Sequence, residues 1–208
     1  RLGRIGVQAL FALAESCGRA AELTSHIAIR ALIIASRWPE HLRLSLNVSP
    51  ADLADDSFAC TILAALTVAD FDPRRLTLEI TEQALVSELD RSGKQLERLA
   101  RRGIRIALDD FGAGFCNFRY LKRLPLRVLK LDRSMIHGVV ENERDLAILR
   151  AILAMARALG LTVVAEGIET EAQRLAIVRE GCERWQGFLG GGPMAAAEFA
   201  RLPGRLGE

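Results

Sequence analysis

The sequence predicts an α/β domain on a mainly parallel sheet, either doubly wound or closed as a (β/α)8 barrel. Three observations predict it. Short β-branched or aliphatic runs alternate with longer stretches of helical period. The runs recur at intervals of roughly 20–36 residues, the length of a βα unit. One run after another ends in a polar side chain.

Along the chain, 20–36 has helical period, 42–48 reads as a strand that reaches Asn47, and Pro50 falls in the connection after it. A helix over 57–69 and a connection at Pro73 lead to a strand over 76–80 that carries Glu79. A helix over 91–102 closes on Gly103, placed for a left-handed C-cap, before a strand over 104–108 that runs into Asp109 and Asp110. Pro125 precedes a strand over 128–131 that holds Lys130, with Asp132 close behind. A helix over 144–159 stops at Gly160, and the strand over 162–165 is topped by Glu166. Thr170, Glu171 and Gln173 open a helix within 169–180, and a weaker strand is read over 185–189, which includes Gln186. The apolar stretch 28–35 is read as packing against the sheet, not as an interface. No linker or low-complexity tract divides the chain, so 1–208 reads as one domain.

Composition narrows the class. The 208 residues carry 28 basic and 26 acidic side chains and are 50% hydrophobic, which argues against disorder. The net charge of +2 makes no electrostatic case for duplex nucleic acid or a membrane surface. No apolar run approaches the ~18–20 residues that cross a bilayer. The chain opens at Arg1 with neither Met nor secretory signal, and reads as an excised piece. Cys17, Cys60, Cys116 and Cys182 form no C-x-x-C pair and are expected to be free thiols in a reducing cytosol. His26, His41 and His137 have no metal-ligand spacing and are read as surface or cap residues.

In parallel α/β folds the carboxyl ends of the strands build the site. Here those ends bring Asn47, Glu79, Asp109, Asp110, Lys130, Asp132 and Glu166. Two residues before the strand-end polar groups stand Ser45, Thr77, Ala107, Val128 and Val164, small or β-branched as a filled barrel interior requires. By the same alternation Asp110 has the opposite parity and is expected to reach the site from a loop. Converging carboxylates raise one another's pKa unless a cation neutralises them, and Lys130 is the single cation in the set. A hard divalent ion on oxygen ligands is expected, Mg²⁺ or Mn²⁺ rather than Zn²⁺. Adjacent Asp109 and Asp110 could serve two metals, the arrangement that clamps a phosphoryl displacement.

Asn47-Val-Ser, Leu78-Glu-Ile-Thr-Glu82, Asp109-Asp-Phe-Gly-Ala-Gly114, Leu124-Pro, Leu129-Lys-Leu-Asp132, Ala165-Glu-Gly-Ile-Glu-Thr170 and Gln186-Gly-Phe188 together resemble the EAL-domain family, in order and spacing, over nearly the whole chain. The resemblance implies a bacterial, cytoplasmic phosphodiesterase that linearises cyclic di-GMP to pGpG on a TIM-like (β/α)8 barrel of the EAL type. It implies Asn47, Glu79, Asp109 and Asp110 as ligands of two Mg²⁺ or Mn²⁺ ions, and Lys130 as the residue that orients the nucleophilic water. Glu166 and Gln186 would hold that water and the site geometry, Glu82 would fix the loop 111–117, and Asp132 would contact the nucleotide. A homodimer and an upstream sensory or GGDEF domain are further implied.

The departures are as informative. No Glu-Ala-Leu is present, and Gln8-Ala-Leu10 does not stand for it: residues 1–16 align with the segment that follows the motif, which is expected roughly a dozen residues before Arg1. The barrel is thus expected to lack its first strand, and the piece alone to turn over no substrate. Phe115-Cys-Asn-Phe118 replaces a serine-bearing loop, and Gly190-Gly-Gly-Pro193 a bulkier, often basic stretch. Two classes of function follow: an active hydrolase, or a degenerate domain that binds cyclic di-GMP or a protein without cleavage. Lys130 favours the hydrolase, because a pure receptor has little use for a water-orienting lysine.

Overall fold

A computed structural model describes residues 6–85, 89–114 and 118–199. Phe115, Cys116 and Asn117 of the expected loop, residues 1–5 and residues 200–208 lie outside them. Six parallel strands form one sheet in sequence order: β1 (Leu44–Val48), β2 (Leu76–Thr81), β3 (Arg105–Phe111), β4 (Leu126–Leu131), β5 (Thr162–Ala165) and β6 (Arg184–Trp185). Each successive pair is joined by a helical crossover, which parallel pairing requires. Helices α1 (Val7–Ser16) and α2 (Ala20–Ala35) precede β1, and α3 (Pro50–Ala54) and α4 (Phe58–Ala69) follow it. Then come α5 (Leu89–Ala100), α6 (Phe118–Arg123), α7 (Glu143–Ala158), α8 (Glu171–Arg179) and α9 (Ala196–Phe199). Strands 1 and 6 are the two edges, so the sheet is the arc of a barrel.

Local chemistry explains the boundaries. Ser49 caps α3 in a reciprocal box with Asp52, and Pro50 sits at its first turn, so the Ser of Asn47-Val-Ser is a helix start. Thr170 and Gln173 form the same box at α8, as the sequence predicts. Asn142 accepts from the amide of Arg144 to start α7. Gly103 and Gly160 take positive φ where α5 and α7 give way to strands.

The core lies between the outer face of the sheet and the helices. Leu76, Leu78, Ile80, Ile106, Leu108, Leu129, Leu131 and Ala165 point outward and are fully buried. They pack in one cluster with Leu32, Ile62, Leu99, Leu149, Ala156 and Ile177. Each such Leu or Ile contributes about 1.5–3 kcal/mol by leaving water. In α2, Ala28, Leu32 and Ala35 take part, so this stretch packs inward as expected.

Two expectations need correction. The sixth strand is Arg184–Trp185, not 185–189. The chain turns at Gly187, whose α-carbon lies against the Ile168 backbone, so no side chain fits there. Asp110 belongs to strand β3 rather than to a loop. The register with β4 shifts between Leu108 and Phe111, and Asp110 takes φ 54°. This bulge re-aims the side chain that strict alternation would turn away.

Candidate active site

The inward row of each strand rises to the same end of the sheet. Asn47 pairs with Glu79, yet Glu79 pairs with Ala107 and not with Asp109; likewise Lys130 pairs with Val164 and not with Glu166. Residues that share a hydrogen-bonded row therefore do not share a level. Strands tilted in a barrel are staggered in this way, and the stagger brings Glu79, Asp109, Lys130 and Glu166 together.

Lys130 is their centre. Its Nζ lies 2.7 Å from Glu79 Oε2, 3.0 Å from Asp109 Oδ1 and 2.7 Å from Glu166 Oε1. The lysine side chain is 7% exposed, and the three acids 12, 13 and 20%, so water screens these pairs little. Burial alone would lower the lysine's pKa. Hydrogen bonds donated to Glu166 and Glu79 and the charges of Glu79 and Asp109 outweigh it and hold the ammonium protonated above its ordinary range.

The acids bear the opposite strain. Burial raises the Glu166 pKa, and Asp109 and Glu79 add to it against the pull of Lys130. Asp110 is raised as well, by burial first and then by Asp109 and Asp132. Ligand oxygens of Asp109, Asp110 and Glu166 all lie within 4.8 Å of one another, a separation that one divalent ion can span. All are hard oxygen donors. The three histidines are exposed and outside this cluster, and Cys17, Cys60 and Cys182 are free thiols elsewhere. Such a donor set suits Mg²⁺, Mn²⁺ or Ca²⁺.

The other expected residues fall around this centre. Asn47 stands beside Glu79 on the exposed edge strand β1. Gln186 follows β6, its backbone tied to Ala165 and Ile168, and its side chain is exposed. Glu82 lies half-buried in a 3₁₀ turn, Glu82–Leu85, directly after β2. Asp132 begins the turn Arg133–Met135, where its Oδ1 accepts from the amide of Ser134 at 2.9 Å. Burial pushes the Asp132 carboxyl up, but hydrogen bonds from Ser134 and Arg133 outweigh this and hold it below the usual carboxylate range.

Gly167 was not singled out from the sequence. It has φ 70°, and a Cβ there would overlap Arg133. That close approach lets the chain turn directly after Glu166. The signal was present as Glu166-Gly, but only the fold supplies Arg133 on the other side.

Residues 1–193 match the family model described as EAL domain. The cyclic di-GMP phosphodiesterase NbdA of Pseudomonas aeruginosa is 39% identical over 209 aligned positions, covering 96% of this chain and 26% of that protein. The chain spans about a quarter of the length of the curated relatives it matches. The solved complex of PaMucR phosphodiesterase with c-di-GMP has a TM-score of 0.85 and 35% identity, over 96% of this chain and 82% of that one. A manganese/cyclic di-GMP complex of Klebsiella pneumoniae BlrP1 has a TM-score of 0.80 and 26% identity, over 90% and 48%.

Proposed function

The chain belongs to the EAL domain family, and from that premise we propose that its residues carry the hydrolytic site of a bacterial cyclic di-GMP phosphodiesterase that yields linear pGpG. One observation carries the reading: the buried ammonium of Lys130 bridges Glu79 of β2, Asp109 of β3 and Glu166 directly after β5, at the carboxyl end of the sheet. A protein that only held the ligand would gain nothing from this arrangement. Taking charges out of water carries a desolvation cost that their mutual attraction can fail to repay, so such a network is an expensive feature without a chemical use.

Asn47, Glu79, Asp109 and Asp110 are assigned as ligands of two Mg²⁺ or Mn²⁺ ions, with Glu166 close enough to share one of them. Bound there, the ions supply water activation and neutralise charge on the phosphoryl group. The remaining chemistry belongs to the chain. Lys130, held protonated, cannot act as the base; it donates to the attacking water and steadies the charge that develops on phosphorus-bound oxygen. Glu166, raised above its ordinary value, is the acceptor for the proton that leaves that water. Attack in line forms the bond from the water oxygen to phosphorus and breaks the bond from phosphorus to the 3′ oxygen, which takes its proton from solvent. Gln186 orients the water from the end of β6, Glu82 steadies the segment that follows Asp110, and Asp132 meets the nucleotide at the rim. A homodimer, an upstream sensory or GGDEF domain and a cytoplasmic setting complete the proposal.

The test is product analysis on the full-length protein. Cyclic di-GMP should yield pGpG with Mg²⁺ or Mn²⁺ and none with chelator. Lys130→Ala should lower kcat by about 10²-fold or more, the usual cost of one preorganised donor, with a small change in KM. Tight binding of cyclic di-GMP without pGpG release would instead make the domain a receptor.

A further inference from the structure

The opposite end of the sheet carries the reverse charge. Below the acidic mouth, the inward row descends β3 from Asp109 through Ala107 to Arg105. Arg105 lies near Arg43, just before β1, and Arg184, on β6. Burial first, and then the like charges of Arg43 and Arg184, hold its guanidinium below the ordinary range. Arg43 donates to the backbone carbonyl of Arg74. Among the described residues none of Arg43, Arg105, Arg127 and Arg184 has a carboxylate partner. Some arginines elsewhere have carboxylate partners, as Arg150 has Glu180 and Arg123 has Asp90. Arg105, Arg127 and Thr162 line a cavity of about 570 Å³ at the N-terminal ends of β3, β4 and β5.

We propose that this arginine-lined cavity, at the far end of the sheet from the acidic mouth, binds a phosphate-bearing small molecule. Arg105 is the member of this cluster that lines the cavity, and an anion held there beside Arg105 and Arg127 offsets the repulsion that Arg105 feels from Arg43 and Arg184. Guanidinium groups suit phosphate in particular, because their planar fork pairs with two oxygens at once. The volume exceeds what one phosphate fills and lies in the range of small-ligand pockets, which fits a phosphomonoester of mononucleotide size. The two ends separate electrostatically: the acidic mouth repels phosphate unless metal is present, whereas the arginine end attracts it without metal.

Calorimetric titration of the full-length protein with pyrophosphate and with inorganic phosphate, in chelator, tests this. Saturable pyrophosphate binding is expected, weakened at least tenfold in Arg105→Gln and unaffected in Lys130→Ala. No binding to the unsubstituted protein overturns the proposal. So does full binding by Arg105→Gln, and so does loss of binding in a Lys130→Ala variant that circular dichroism shows to be folded, which would place the anion at the mouth. Should Arg105→Gln fail to fold, as judged by circular dichroism, Arg127→Gln takes its place with the same expected weakening, and unchanged affinity there overturns the proposal equally. None of these readouts involves turnover of cyclic di-GMP, so failure of the hydrolase reading leaves them intact.

Discussion

Lys130 and Asp110 stand in the same bowl and respond oppositely to it. The lysine is stabilised as a cation by three carboxylates. Lys130→Met removes the compensation and should destabilise the metal-free protein by about 3–5 kcal/mol, as breaking a buried ion pair does. Added Mn²⁺ should restore part of the loss in thermal melts. Asp110 is pushed up by burial, Asp109 and Asp132, so its ionised form is disfavoured in the fold. The sign follows: the stability that its protonated form supplies is present at acid pH and is lost as pH rises from the ordinary carboxylate value through the raised one. Asp110→Asn in chelator should therefore melt higher than the unsubstituted protein at pH 7, with the gap closing at acid pH. Asn also tolerates the φ of 54° at this position. With Mn²⁺ the order should reverse, because the variant has lost a ligand and metal binding stabilises only the intact site.

Among the elements, the end of β5 is the place where packing and chemistry meet. The strand stops at Ala165, Glu166 turns into the bowl, and Gly167 passes under Arg133 before Thr170 starts α8. Two substitutions only three residues apart should differ. Thr170→Ala removes a cap and should cost about 1 kcal/mol in denaturant unfolding with little effect on kcat. Gly167→Val forces a side chain into Arg133 at a positive φ and moves Glu166, so kcat should fall at least tenfold even where the variant remains folded. The bulge in β3 serves a comparable end, since it presents adjacent Asp109 and Asp110 to one site although a regular strand would turn them to opposite faces.

Across the whole molecule, the apolar core and the charged bowl occupy opposite faces of one sheet. Stability thus rests largely on the outer face, and the proposed chemistry on the inner one. Leu99→Ala, in the core on α5, should cost about 2–5 kcal/mol in unfolding free energy and leave the metal dependence of catalysis unchanged. Chelation should abolish turnover without cooperative unfolding, as followed by circular dichroism. No helix among the described residues is long and apolar enough to cross a membrane.

Periodicity alone determined the order of strands and helices, and the strand-end positions of Asn47, Glu79, Asp109, Lys130 and Glu166. Alternation and capping are local, and they act within a few residues of their cause. The motif order carried the family resemblance in the same way. Tertiary structure alone decided which of these side chains touch. Barrel stagger sets Glu79 beside Lys130 from a different hydrogen-bonded row, a shifted register recruits Asp110, and Arg133 meets Gly167 across 34 positions of chain. The arginines of the far end were invisible for a related reason. Arg43, Arg105 and Arg184 are remote in sequence and unremarkable one by one, and their shared field exists only once the sheet curves them toward each other.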